Sequence, residues 1–115
     1  MGLDSFWVDP KADKVMELPE PMEQVFPLQI CGGILSAHGS GSFRGKVYNS
    51  LIESITGESL YQDRIPNETI KEMAFLLQEA AEKGVPDGIE PEEFRDLVIM
   101  FQLYADAGAE LRGWW

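Results

Sequence analysis

One cysteine, Cys31, and one histidine, His38, serve the whole chain, and nine Lys and Arg stand against twenty Asp and Glu. A single thiol forms no internal disulfide, so a cross-linked secreted scaffold is excluded. Two such residues are too few for a zinc site unless carboxylates or a second subunit complete it, and neither a metal nor any other cofactor is expected. The shortage of bases argues against nucleic acid as a partner, because a net charge of −11 repels phosphate backbones and anionic lipid alike. Long apolar runs are missing too. The longest candidate, Leu97 to Ala105, is about half the roughly 18 residues of a membrane helix and contains Gln102.

No charged, apolar, small-residue signal segment opens the chain. The opening "MGLDSF" has the Gly2 of a myristoylation signal but carries serine at position 5 instead of 6. A cytoplasmic protein without a membrane anchor is the expectation.

What is present is globular. With 115 residues, 44% of them hydrophobic and 25% charged, the chain can bury a core of its own and is read as one compact domain, 1–115. Its charge is uneven. Residues 1–35 hold six acids and two bases, 36–65 three of each, and 66–115 eleven acids and four bases. An acidic surface keeps a small protein soluble and names no partner by itself.

Pro10, Pro19, Pro21 and Pro27 break helices in the first quarter and leave "FWVD" and "QVFPLQIC" as its strand-like pieces. "LQIC", "GG" and "ILSA" read as a hairpin with a tight primed turn, with one glycine-rich loop as the alternative. Residues 1–37 are therefore a strand and loop region, and residues 38–115 a helical one. Phe43, Val47, Leu51 and Ile55, spaced by four, predict an amphipathic helix over 43–56 with Ser42 as N-cap and Gly57 as stop. Gly45 weakens its first turn and calls for a packing reason.

Pro66 at a first helical position and Gly84 past the last turn delimit a second helix, 66–83, with Ile70, Met73, Ala74, Leu77 and Ala81 on one face. Pro91, Glu92 and Glu93 open a third, 91–107, with Phe94, Leu97, Val98, Phe101 and Tyr104 inward. The expected fold class is α+β: a small antiparallel sheet from the N-terminal third packed against three C-terminal helices.

Two groups of residues stand out as sites. Ile99, Met100 and Leu103 lie off the third helix's core stripe, and Trp114 and Trp115 sit in the tail, so these five form a candidate partner-binding surface. The partner is another protein or a second copy of the chain, as in a homodimer. The second group lies in "SAHGSGSFRGKVYNSL". His38, Gly39, Gly41, Ser42, Arg44 and Lys46 bring glycine-rich backbone, a helix start and two cations together, which suits a small anion such as phosphate or a carboxylate. The competing reading of the same stretch is a loop and a helix cap.

Sharper motifs fail on spacing. A Walker A loop aligned on Gly45-Lys46 has Ser40 in place of the leading glycine and Val47 in place of the hydroxyl. "PDGIEPEEF" is one residue short of a calcium loop's end and lacks the upstream aspartates. Cys31 and His38 are seven residues apart, yet a cysteine beside Gly-Gly is more simply a small buried residue than a nucleophile. No catalytic residue is assigned. The sequence reads first as a non-enzymatic binding or regulatory protein acting through protein contacts, and second as a small-anion binding protein or enzyme.

Overall fold

The computed structural model describes residues 3–15 and 42–115, and its fold is α+β. Strands β1 (Asp4–Asp9), β2 (Lys14–Val15) and β3 (Ser42–Phe43) precede helices α1 (Gly45–Thr56), α2 (Asn67–Lys83) and α3 (Pro91–Asp106), and strand β4 (Glu110–Trp114) follows them. The hairpin expected over 28–37 lies outside the described residues. A different hairpin is present, in which β1 turns into β2. Its turn begins at Asp9, whose Oδ1 accepts from the Lys11 amide (2.9 Å) while its carbonyl accepts from the Asp13 amide (2.8 Å).

Every pairing in the sheet is antiparallel and centred on β1. Ser5 and Phe6 pair with both β3 and β4, and Val8 with both β2 and β4. A strand has two edges, so β4 occupies one and the short β2 and β3 lie end to end along the other. The sheet is thus not drawn from the first 37 residues alone. Its longest partner strand comes from the other end of the sequence, in a segment the helical periodicity left as a tail.

Alternation along β1 sends Leu3, Ser5 and Trp7 toward the helices. Trp7 is the centre of the core. Its indole stacks on the Tyr104 ring (4.7 Å, 4° between planes) and meets the edge of Phe101 (5.0 Å, 84°). Such ring pairs add about 0.5–1.5 kcal/mol beyond the area they bury. Around them pack Phe43, Ile52 of α1, Leu77 of α2, Leu97 of α3 and Leu111 of β4.

The predicted inward faces of α2 and α3 are the buried ones. Pro91 takes the first position of α3, while Pro66 stands one residue ahead of α2 as its N-cap. Helix α1 differs more. Phe43 belongs to β3, Val47 is 51% exposed, and the buried face runs through Gly45, Tyr48 and Ile52. Gly45 dictates that face. A Cβ there would collide with Ser5 Oγ and stand 2.8 Å from Leu3 Cδ2, so only a glycine lets the first turn of α1 press onto β1. Ser42 lies in β3 with its backbone opposite Phe6, and the N-cap position of the helix is Arg44, whose side chain makes no capping hydrogen bond.

Helix α3 ends in a hydrogen-bonded turn that sets the direction of β4. Gly108, at φ 83°, donates its amide to Ala105 (3.2 Å), and the Ala109 amide reaches back to Tyr104 (3.0 Å), the pair of bonds of a Schellman cap. Asn67 at the start of α2 then fastens this corner, its Nδ2 donating to the carbonyls of Ala105 (3.2 Å) and Ala109 (2.8 Å).

Candidate functional site

Beyond the α3 cap, β4 alternates. Leu111 and Gly113 turn inward with their partners Trp7 and Ser5, and Glu110, Arg112 and Trp114 turn to the outer face of the sheet. Glu110 is almost wholly buried and gathers cations. It accepts from Arg64 Nε and, through its other oxygen, from Arg112 Nε (3.0 Å) and Nη2 (2.7 Å). Arg112 also holds Asp13 through Nη1 (2.6 Å). Burial by itself would raise the Glu110 carboxyl, but the hydrogen bonds from Arg112 and Arg64 outweigh it and hold the group below its ordinary range. The network ties β4 to the β1–β2 turn on one side and to the 57–66 connection on the other.

That connection is organised by Asn49 of α1, whose Oδ1 accepts from the Leu60 amide (2.6 Å), and by Gln62, whose Nε2 donates to the Ser59 carbonyl (2.7 Å). It lies along the outer edge of β4. Ile65 and Leu111 exchange both backbone bonds (2.7 and 3.0 Å), and the Gly113 amide donates to Gln62 (3.1 Å). Between Leu60 and Gln62, Tyr61 is carried to the end of the strand, where its ring meets Trp115 edge to face at 5.5 Å and 72°.

The result is an exposed Tyr61–Trp115 pair on a hydrogen-bonded frame, with Trp114 exposed on the outer face of the sheet. Trp114 is 72% exposed, Trp115 49% and Tyr61 38%. Asp4 stands directly across from Trp114 in the strand register, and Asp63 is exposed two residues beyond Tyr61. Arg64 and Arg112 are engaged by Glu110 and Asp13, while the β1–β3 register sets the exposed Arg44 on the other side of Asp4.

The other predicted partner-binding residues fall elsewhere. Met100 is fully buried, and Ile99 and Leu103 are half-buried against the core. The apolar circumference of α3 is therefore largely covered within the chain itself. Ile99 does reach one wall of a groove of about 250 Å³ between α2 and α3, together with Ala81, Val85, Phe94 and Val98. A smaller cavity of about 120 Å³ lies between α1 and the turn before α3, beside a hydrogen bond from the Tyr48 hydroxyl to Glu93 Oε2 (2.5 Å).

Of the residues read as an anion site, His38, Gly39 and Gly41 lie outside the described residues, as does Cys31. Ser42 is in β3, and Arg44 and Lys46 are exposed at the start of α1. The Lys46 amide donates to the Leu3 carbonyl (3.3 Å) and the Val47 amide to Arg44 (3.2 Å), so two of the first-turn donors are taken by the protein's own backbone. Among the described residues no group of three or more His, Cys, Asp or Glu could hold a metal ion, and no helix is long and apolar enough to cross a membrane.

Tyr61 was missed by sequence reasoning, since nothing local links it to a tail some fifty residues on. Comparison of the chain with known protein families, with curated proteins and with solved structures finds no match.

Proposed function

We propose that this chain is a non-enzymatic binding protein that acts by contacting another protein through Trp114, Trp115 and Tyr61. The observation that supports this reading is the exposure of Trp114 on a strand that pairs with β1 along one edge and bonds to the 57–66 connection along the other. A tryptophan turned to water forgoes the burial that would stabilise the fold, while Trp and Tyr on a rigid support are the residues that dominate protein interfaces. Because the frame is already ordered, association costs little of the side-chain and loop ordering that weakens contacts made by flexible tails.

A different protein suits the surface better than a second copy, since two chains of charge −11 repel each other at close range. The anion-binding reading has less support, with two of the first-turn amides of α1 already donating within the chain.

The test is comparative capture from cells that make the protein. Immobilised parent and a Trp114→Ala/Trp115→Ala variant, both checked for an unchanged fold, are exposed to the same protein mixture. A protein retained by the parent and lost by the variant is expected. Identical capture by both would refute a role for this surface.

A further inference from the structure

Asn67-Glu68-Thr69 is an Asn-x-Thr triplet, the acceptor pattern for an N-linked sugar, and the proposed binding role makes no use of it. The triplet forms the first turn of α2, with Asn67 half-buried. We infer that a sugar on Asn67 and the folded chain exclude each other, and that the triplet is open only before β4 has been made.

The reason lies in the amide nitrogen. Nδ2 is the atom that carries an N-linked sugar, and here it already donates twice, to the carbonyls of Ala105 (3.2 Å) and Ala109 (2.8 Å). Two carbonyl oxygens accept only from the NH2 end of an amide, which fixes the orientation of the side chain. A single C–N bond is about 1.45 Å, so an anomeric carbon set along either N–H direction falls well inside contact distance of a backbone oxygen. Attachment requires the side chain to swing away and give up this corner.

The corner joins three elements. Ala105 is in the last turn of α3, where its carbonyl also accepts from the Gly108 amide (3.2 Å), and Ala109 leads into β4. Both alanines are buried, so water is a poor substitute for the lost donor. Release of Asn67 therefore frees the start of α2 from the entry of the strand that carries Trp114.

Chain order sets the timing. The two acceptors follow Asn67 by 38 and 42 residues, so in a chain exported during synthesis the triplet emerges before its partners exist. Transfer from a lipid-linked sugar diphosphate joins the anomeric carbon to Nδ2. The bond from that carbon to the phosphate oxygen breaks, its electron pair leaves with the phosphate, and one Nδ2 proton passes to a base of the transferring enzyme. One N–H remains for two carbonyls.

The experiment has two arms, both on the full chain. In the first, without export, Asn67→Asp sets a carboxylate oxygen, which has no hydrogen to donate, against the two carbonyls. It is expected to lower the folding equilibrium constant in urea unfolding at neutral pH by at least about tenfold. Thr69→Ala destroys the triplet, spares Nδ2, and is expected to change that constant by no more than about threefold. In the second arm, parent and Thr69→Ala are synthesised with an export signal into microsomes, and protease is added once the membranes are dissolved. The parent is expected to gain the mass of one glycan and to be degraded at least about tenfold faster than Thr69→Ala, which gains none.

Equal degradation of the two exported chains, fast or slow, would overturn the inference, since the sugar would then not decide folding. Parental stability of Asn67→Asp would overturn it too. Export of the parent without a sugar on Asn67 would refute the timing, because the triplet would be closed before β4 exists.

Discussion

Gly113 lies against Gln62 so closely that a Cβ in its place would stand 2.8 Å from the Gln62 carbonyl oxygen, and equally close to that of Leu60. Backbone oxygens cannot move aside as a side chain would. Gly113→Ala is therefore expected to push the 57–66 connection away from β4, break the bond from the Gly113 amide to Gln62, and cost about 1–3 kcal/mol. It should also part Tyr61 from Trp115 and reduce partner binding beyond the loss of stability. Urea unfolding and indole chemical shifts measure the two effects separately. An alanine variant of parental stability would show that the close approach is unnecessary.

Glu110 makes the stability of the sheet sensitive to acid. Burial opposes its ionisation, but Arg112 and Arg64 more than compensate, so its carboxyl titrates lower in the folded chain than in the unfolded one. A depressed carboxylate contributes stability at pH above its unfolded value, near 4.5, and that contribution is lost as pH falls through the lower folded value. The parent should lose stability in that window. Glu110→Gln should be weaker at neutral pH, by about 1–3 kcal/mol for a charged hydrogen-bonding group, and should show a flatter decline below it. Parallel declines in parent and variant would exclude Glu110 as the source.

Helices α2 and α3 were legible in the sequence because each is bounded by proline and glycine and carries its own periodic face, so local chemistry suffices to define them. Helix α1 was legible as a helix but not in its orientation. The stripe from Phe43 to Ile55 is the more apolar one, yet a close contact with Leu3 and Ser5, remote in sequence, turns Gly45, Tyr48 and Ile52 inward. Strand β4 was illegible for a related reason. One of its two inward positions is a glycine, and its identity as a strand depends on β1, some hundred residues earlier. Trp114 and Trp115 were legible as partner-binding candidates; Met100 was not separable from them, since burial on the far side of α3 is a tertiary fact.

Ser5 and Gly45 form a pair whose substitutions should act in opposite directions. The Ser5 hydroxyl is fully buried and has no hydrogen-bond partner among the described residues, a state that costs free energy in the folded chain. Ser5→Ala removes that cost and is expected to leave stability unchanged or raised. Gly45→Ala drives a methyl group into Ser5 Oγ and the Leu3 side chain, and should destabilise by about 1–3 kcal/mol. In the double variant the closest contact, with the hydroxyl oxygen, is gone while those with Leu3 remain, so partial rescue is expected. A double-mutant cycle by thermal unfolding gives the coupling. A marked loss on Ser5→Ala would show that the hydroxyl has a partner after all.

The three tryptophans should divide into two populations, and the division carries the functional argument. Trp7 is sealed between Tyr104, Phe101 and Phe43, whereas Trp114 and Trp115 face water. Acrylamide should therefore quench most of the emission from Trp114 and Trp115 and little from Trp7. Trp114→Ala is a surface change away from cap, core and ion network, and should alter stability by no more than about 0.5 kcal/mol. Trp7→Ala empties the centre of the core and should cost about 3–5 kcal/mol. A residue that contributes almost nothing to folding yet presents the largest apolar side chain to solvent is under no structural demand to be tryptophan, which is why its replacement tests function cleanly. If Trp114→Ala instead destabilised the chain as a core substitution does, and its emission resisted quenching, the aromatic end of β4 would be part of the fold and not a surface for a partner.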